Sequence, residues 1–427
     1  MGNYAFSEIN YSWLLIIIII TMLIVYFFSK QMKSANNKLA ISFITFSVFF
    51  YSGLGIALND VDNKYICHYA IYIFSLLLPF LFLKNRSYSD DFTYFDEYIL
   101  EKYITVKRIA YLYLLFMLLP CIYPEFKLGN ILNIFSAGNL VDFFDKQKDS
   151  QNIFGSLCDN ISMILSPAFF IYLGLLVRSN KNVIAVFLVI LHLLLNFCQL
   201  SYLGRYKLMI YGAFIIFILF PPIKDGKFVK KSFFVLVSFV ILMLPLLYLF
   251  VFFRLGNEAD SASFFQMAEE LLTGESFYPI FYDKVLSNNI ETSLLNMIFW
   301  IILLPIPSLI FPYKPAIDTA SFTYLITGLR RGDAGFSILL PSVLGESFSI
   351  GGQYLFFVHA FIIGCVYVYF LNFISKHKTL QYLFLYYLLS SLVLGRGGAG
   401  SFLPTLINCN ISIIIFYFLK KKSFCRK

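Results

Sequence analysis

Charge is scarce in this chain: Asp, Glu, Lys and Arg together make up 13% of its 427 residues, while 59% are hydrophobic. With a mean hydropathy of +0.77, so little charge cannot cover so much apolar side chain, which excludes a soluble globular domain. Cysteine is sparse and unpatterned. The seven are scattered without paired spacing, and Cys121, Cys198, Cys365 and Cys409 lie in or beside apolar runs, which argues against disulfides and zinc. No Walker loop, Rossmann glycine fingerprint, His-x-x-x-His helix or Gly-x-Ser-x-Gly elbow occurs. That absence argues against ATP-driven transport and cytosolic nucleotide-sugar chemistry. Internal repeats, linkers and low-complexity tracts are missing as well, so residues 1–427 read as a single integral membrane domain. What is abundant is aromatic: 51 Phe and 30 Tyr suit lipid-facing surfaces and interfacial belts.

A helix rises about 1.5 Å per residue, so crossing a hydrocarbon core of about 30 Å takes roughly 20 apolar residues. Runs near that length lie at 12–29, 39–58, 66–83, 109–123, 161–177, 182–200, 208–223, 232–253, 354–373, 379–394 and 402–419. The expected fold is all-α, a polytopic bundle of about eleven spans (between ten and twelve). Residues 1–11 carry no Lys or Arg, and the run Trp13–Phe28 ends in bulky residues, so it reads as a retained first span rather than a cleaved leader. With the N-terminus outside, the inner segments 30–38, 84–108, 178–181, 224–231, 376–378 and 420–427 hold nearly two-thirds of the 33 Lys and Arg. The opposite orientation would put the clusters Lys224–Lys231 and Lys420–Lys422 outside. The expectation is N-out and C-in, and the net charge of +9 then reflects cytoplasmic loops rather than nucleic-acid binding. Two outer segments are large, about 124–160 and about 254–353. The second is expected to carry short amphipathic helices: Leu294–Phe311 is apolar but broken by Pro305 and Pro307, and Ile338–Ile350 contains Pro341 and Glu346.

Ionisable groups at membrane depth are costly, so each asks for an explanation. Arg205 sits in a short outer turn, Ser201–Lys207, after a span carrying His192, Asn196 and Gln199 on one helical face. This is either an anion-binding Arg or a snorkelling one with polar glue between helices. Arg254 closes the span 232–253 on the outer side, against the orientation rule. Arg396 lies in Gly395-Arg396-Gly397-Gly398-Ala399-Gly400-Ser401. There the glycines either let backbone N–H groups meet an anion at the start of the next helix or form a plain hairpin. Arg330, Arg331 and Lys314 complete the outer cations, a set suited to a diphosphate near the membrane surface. Glu346 is the acidic residue singled out, because a carboxylate in an apolar stretch is partly desolvated and useful as a base. Its alternative is a capping carboxylate. Asp333, Glu258 and Asp260 are lesser candidates, His68 and His359 are secondary bases near outer span ends, and His377 is placed in the cytoplasm.

On these patterns the chain resembles the Wzy-type O-antigen and oligosaccharide repeat-unit polymerases. The resemblance covers roughly residues 200–400. It rests on Gly204-Arg205, Arg254-Leu255-Gly256, Leu304-Pro305-Ile306-Pro307 with Pro312-Tyr313-Lys314-Pro315, and Gly335-Phe336-Ser337 through Gly345-Glu346 to Gly351-Gly352, with Arg396-Gly397 in support. Ile306 stands where many members carry Arg. The resemblance implies a metal-independent, cofactor-free glycosyltransferase of the bacterial cytoplasmic membrane. Such an enzyme moves a growing glycan from undecaprenyl pyrophosphate onto a lipid-linked repeat unit, and a chain-length regulator is a possible partner. Arg205, Arg254 and Arg396 are then expected to meet the leaving pyrophosphate, and Glu346 to deprotonate the acceptor hydroxyl. A ligase that transfers finished glycan, or a transporter of lipid-linked oligosaccharide, are the rival expectations.

Overall fold

The computed structural model describes residues 11–58, 63–83, 97–122, 153–200, 294–304, 342–375 and 387–400, with isolated positions within 216–238, 306–328 and 402–407. The chain divides into two compact units. The first comprises Met1–Asp90, Thr273–Lys376 and Tyr387–Ile407; the second comprises Asp91–Leu272, His377–Tyr386 and Asn408–Lys427.

Apolar runs become helices here for one reason. Lipid offers no hydrogen-bond partner, so every backbone N–H and C=O must be satisfied within the segment. In the first unit α1 is Tyr11–Gln31, α2 is Ala35–Val48 and α3 is Leu54–Leu58, α2 and α3 being joined by a π-helical turn at Phe49–Gly53. Next come α4, Lys64–Leu77, and a 3-10 extension, Leu78–Leu83. In the second unit α5 is Glu97–Ile122, α6 is Ile153–Arg178 and α7 is Asn182–Leu200. These three pack on one another. Returning to the first unit, α8 is Leu294–Leu303 and α9 is Ser342–Ser375, while residues 387–400 form α10.

Among the described residues, four stretches are long and apolar enough to cross a membrane: Ser12–Gln31, Ala35–Ala57, Lys64–Phe82 and Ser342–Phe373. The protein is a helical membrane protein. The first three stretches match the expected runs 12–29, 39–58 and 66–83. The runs at 109–123, 161–177 and 182–200 fall largely within α5, α6 and α7, whereas those at 208–223, 232–253 and 402–419 lie mostly outside the described residues. Apart from the helices, the described residues contain one antiparallel pairing, Ile223–Lys224 with Lys227–Phe228. The Asp225-Gly226 link between these strands is a hairpin-favouring dipeptide.

The expected run 354–373 begins earlier than the sequence suggested. Helix α9 starts at Ser342 rather than at 354, so Glu346, from the segment Ile338–Ile350, lies on the same helix as that run. Pro341 does not oppose this, because a proline at a helix start removes an N–H that would have no partner anyway. The Ser342 hydroxyl accepts the Gly345 N–H (3.5 Å), which caps the first turn. The helix is broken at Gly352, whose φ of 61° and ψ of −165° are open only to glycine. Helix α8 is only 10 residues long, about 15 Å, which is half a membrane core.

The first unit is organised around α9. Helices α4 and α8, the π turn and the 3-10 extension all pack against it. Gly364 lets the Leu76 carbonyl rest on the α9 backbone where a methyl would collide, the kind of close approach that holds membrane helices together. Buried tyrosines fill the interior: Tyr65, Tyr69, Tyr72, Tyr367 and Tyr387 are all fully enclosed.

Candidate functional site

Among the described residues of the first unit, several features depart from regular α-helix geometry, and some of them bear on one another. They include the π turn at Phe49–Gly53, Ser342 at φ 59°, Gly352 at φ 61°, and Gly398 at φ 67° inside α10. A left-handed non-glycine residue costs on the order of 1–3 kcal/mol, and such departures gather where a site needs them. The π turn, Ser342 and Gly398 are tied together by α9. Ser52, in the π turn, donates to the Ser342 hydroxyl at 3.2 Å. The carboxylate of Glu346, one turn beyond Ser342, fills the break at Gly398.

That carboxylate is the centre of the site. The Ala399 N–H donates to Glu346 Oε2 at 2.5 Å and the Gly400 N–H donates to Oε1 at 3.0 Å. Glu346 is 3% exposed. Enclosing a carboxylate costs several kcal/mol, and these two charge-assisted bonds at the start of a helical segment offset part of it. Gly398 is required twice over. Its φ is left-handed, and a methyl on its Cα would collide with both carboxylate oxygens. The break is prepared one turn earlier. Ser47 of α2 accepts the Gly395 N–H at 2.8 Å and donates to the Leu392 carbonyl at 2.9 Å, inserting its hydroxyl into the ladder of α10.

His359, one face along α9, brings its Nε2 to 3.7 Å from Glu346 Oε2. It is wholly enclosed, and neither ring nitrogen has a hydrogen-bond partner among the described residues. The Tyr72 hydroxyl on α4 is likewise enclosed and unpartnered among them, within electrostatic reach of Glu346. Buried polar atoms are satisfied in more than nine cases of ten, so such a group beside a carboxylate is an exception that needs a cause. By contrast, the hydroxyls of Ser347, Ser349 and Ser391 turn back onto carbonyls of their own helices, at Leu344, Glu346 and Leu388. Each gives its proton within its own helix.

Two further expected residues lie in the same unit. Arg396 is partly exposed, three positions before Ala399, and its charge acts on Tyr51 of the π turn. His68 of α4 is boxed by the rings of Phe348 (5.2 Å), Phe356 (5.0 Å) and Tyr65 (5.8 Å). Both phenylalanines belong to α9, on either side of the Gly352 break. Arg205, Arg254, Arg330, Arg331 and Lys314 lie outside the described residues. Among the described residues no three His, Cys, Asp or Glu side chains gather as a metal would need.

The polar stripe that leads toward Arg205 has a different character. His192 is buried in the second unit, accepts or donates a 3.0 Å hydrogen bond with the Tyr113 hydroxyl of α5, and packs on the rings of Phe169 and Phe170 of α6. It joins three helices. Sequence inspection also missed Tyr72, Ser47 and Ser342, which carry no local signal: each matters only through a partner far along the chain. No family model matches the chain, and no curated protein or solved structure does either.

Proposed function

We propose that this protein is a repeat-unit polymerase of the bacterial cytoplasmic membrane that joins oligosaccharides carried on undecaprenyl pyrophosphate. The observation that supports it most is a desolvated carboxylate, Glu346, held at a broken membrane helix, with His359 beside it, unpartnered among the described residues, and Arg396 on the same segment. In this reaction the acceptor sugar hydroxyl gives its proton to Glu346, with His359 as the next station for that proton. The oxygen so freed attacks the anomeric carbon of the growing glycan. The bond from that carbon to the pyrophosphate oxygen breaks, and undecaprenyl pyrophosphate leaves. Arg396 meets the charge that develops on it. The energy of the new linkage is already stored in the donor, so no nucleotide is consumed.

Deleting the protein should leave cells with glycans one repeat unit long, and Ala at Arg205, Arg254 or Arg396, with expression verified, should do the same. Long chains of normal length from all three variants would remove the assignment. The ligase alternative gives another pattern on deletion, long lipid-bound chains with none transferred. The breaks at Gly352 and Gly398 favour a second reading. Interrupted helices around a buried ionisable pair also build transporter sites. Under that reading, deletion leaves single units trapped on the cytoplasmic face, which a membrane-impermeant glycosidase does not reach.

A further inference from the structure

The N–H groups of Ala399 and Gly400 follow directly on the left-handed Gly398. Residues 402–404 and 406–407 are helical as well. Two converging N–H donors just after a left-handed residue form the kind of concavity that a phosphate oxygen seeks, and Arg396 stands three residues before Ala399 in the chain. In this structure they are occupied, and the occupant is the protein's own anion: both oxygens of Glu346 are committed to them. A base tied up in this way is poorly placed to accept a hydroxyl proton. His359 offers the carboxylate somewhere else to go. Its ring is enclosed, has no hydrogen-bond partner among the described residues, and already lies 3.7 Å from Oε2. A rotation that shortens this distance by less than 1 Å makes a normal hydrogen bond. The seat is not sealed either, since Arg396 and Gly400 are partly exposed.

We infer that the N–H groups of Ala399 and Gly400, beside Arg396, form a diphosphate seat that Glu346 fills in the resting protein and vacates toward His359 when a substrate diphosphate arrives. This rests on the polymerase reading and adds an order of events to it. Donor binding releases the base, so proton abstraction awaits the donor and water has no activated base to exploit beforehand. The Glu346 side chain serves as an internal stand-in for the ligand. It therefore weakens the diphosphate's apparent affinity in proportion to the fraction of molecules in which it fills the seat.

The test is binding without turnover, on the full chain in lipid nanodiscs, by calorimetry with inorganic pyrophosphate and with farnesyl pyrophosphate. Removing the stand-in charge with Glu346→Gln should tighten binding; if the seat is vacant in about one molecule in ten, the gain is roughly tenfold. A gain for both probes means the seat reads the diphosphate alone, and a gain confined to the prenyl probe means the lipid tail is required as well; both support the seat. His359→Phe should weaken binding in the wild-type background, where the displaced carboxylate loses its partner, and leave it unchanged when combined with Glu346→Gln. Should Glu346→Gln not fold, Glu346→Asp, which withdraws the carboxylate by one methylene, should also tighten binding. If neither substitution tightens binding, or if His359→Phe weakens it equally in both backgrounds, the inference is wrong. Polymer chain length in cells judges the polymerase reading separately, so the two can fail independently.

Discussion

Among the described residues two histidines lie buried in apolar helices, and they could hardly be used more differently. His192, in the second unit, has its Nδ1 hydrogen-bonded to Tyr113 and its ring set among Phe169 and Phe170. His359, in the first, has no hydrogen-bond partner among the described residues and faces a carboxylate held at a helix break. Burial alone does not separate them. The helices around His192 are held together by a closed polar contact, whereas the His359 ring and the Tyr72 hydroxyl find no hydrogen-bond partner among the described residues, and the backbone nearby departs from regular geometry at Gly352 and Gly398. The lesson is that unmet hydrogen-bonding capacity beside strained backbone marks a membrane site better than a polar residue does by itself.

The largest blow to this contrast should come from Gly398→Ala. It forces an L side chain into a left-handed conformation, at a cost of about 1–3 kcal/mol, and evicts the Glu346 carboxylate from its two donors. Thermal unfolding in detergent should drop sharply and no polymer should form; wild-type melting would mean the break is not held as described. Next is Glu346. Alanine leaves two N–H groups without their acceptor, each costing about 1–3 kcal/mol if water does not reach it, and should destabilise more than glutamine, which keeps one acceptor oxygen. Both should abolish long glycans, because only the ionised group takes a proton. A glutamine variant with wild-type chain lengths would move the base elsewhere.

The two histidines then give opposite expectations for the same substitution. His359→Phe replaces an unsatisfied polar ring by an apolar one and should leave the melting temperature unchanged or raised while polymer formation falls, since replacing an unpaired buried group is neutral or stabilising. His192→Phe should leave polymer formation intact and lose about 1 kcal/mol of stability with its hydrogen bond. The smallest effect is Tyr113→Phe, which removes the same bond from the other side and should cost about 0.5–1.5 kcal/mol. If His192→Phe proved the inactive variant and His359→Phe the active one, the assignment of roles would be reversed.

Part of this was legible in the sequence, and the reason is the solvent. Lipid punishes unpaired backbone and charge so heavily that the runs at 12–29, 39–58 and 66–83 could be read almost to their ends. For the same reason Glu346, one carboxylate in an apolar stretch, stood out. Its setting was not legible. Pro341 looked like a breaker of Ile338–Ile350, yet it directly precedes Ser342, whose hydroxyl caps the new helix. The glycines from 395 to 400 suggested either a hairpin or an anion nest, and the structure answers with a nest filled from within. Nothing local in the sequence pairs Glu346 with Ala399, which lies 53 residues away. Likewise the stripe through His192 pointed along its helix toward Arg205, while its hydrogen bond runs sideways to Tyr113, 79 residues back. Periodicity identifies a face; it does not name what the face meets.

The most direct test is a side-by-side reaction with purified protein in lipid nanodiscs, supplied with undecaprenyl-pyrophosphate-linked repeat units and read as a ladder of product lengths. The His192→Phe protein should build the same ladder as the wild type, and the Glu346→Gln protein should leave every unit single. A full ladder from Glu346→Gln, with the protein folded, would contradict the placement of the chemistry at the Gly398 break.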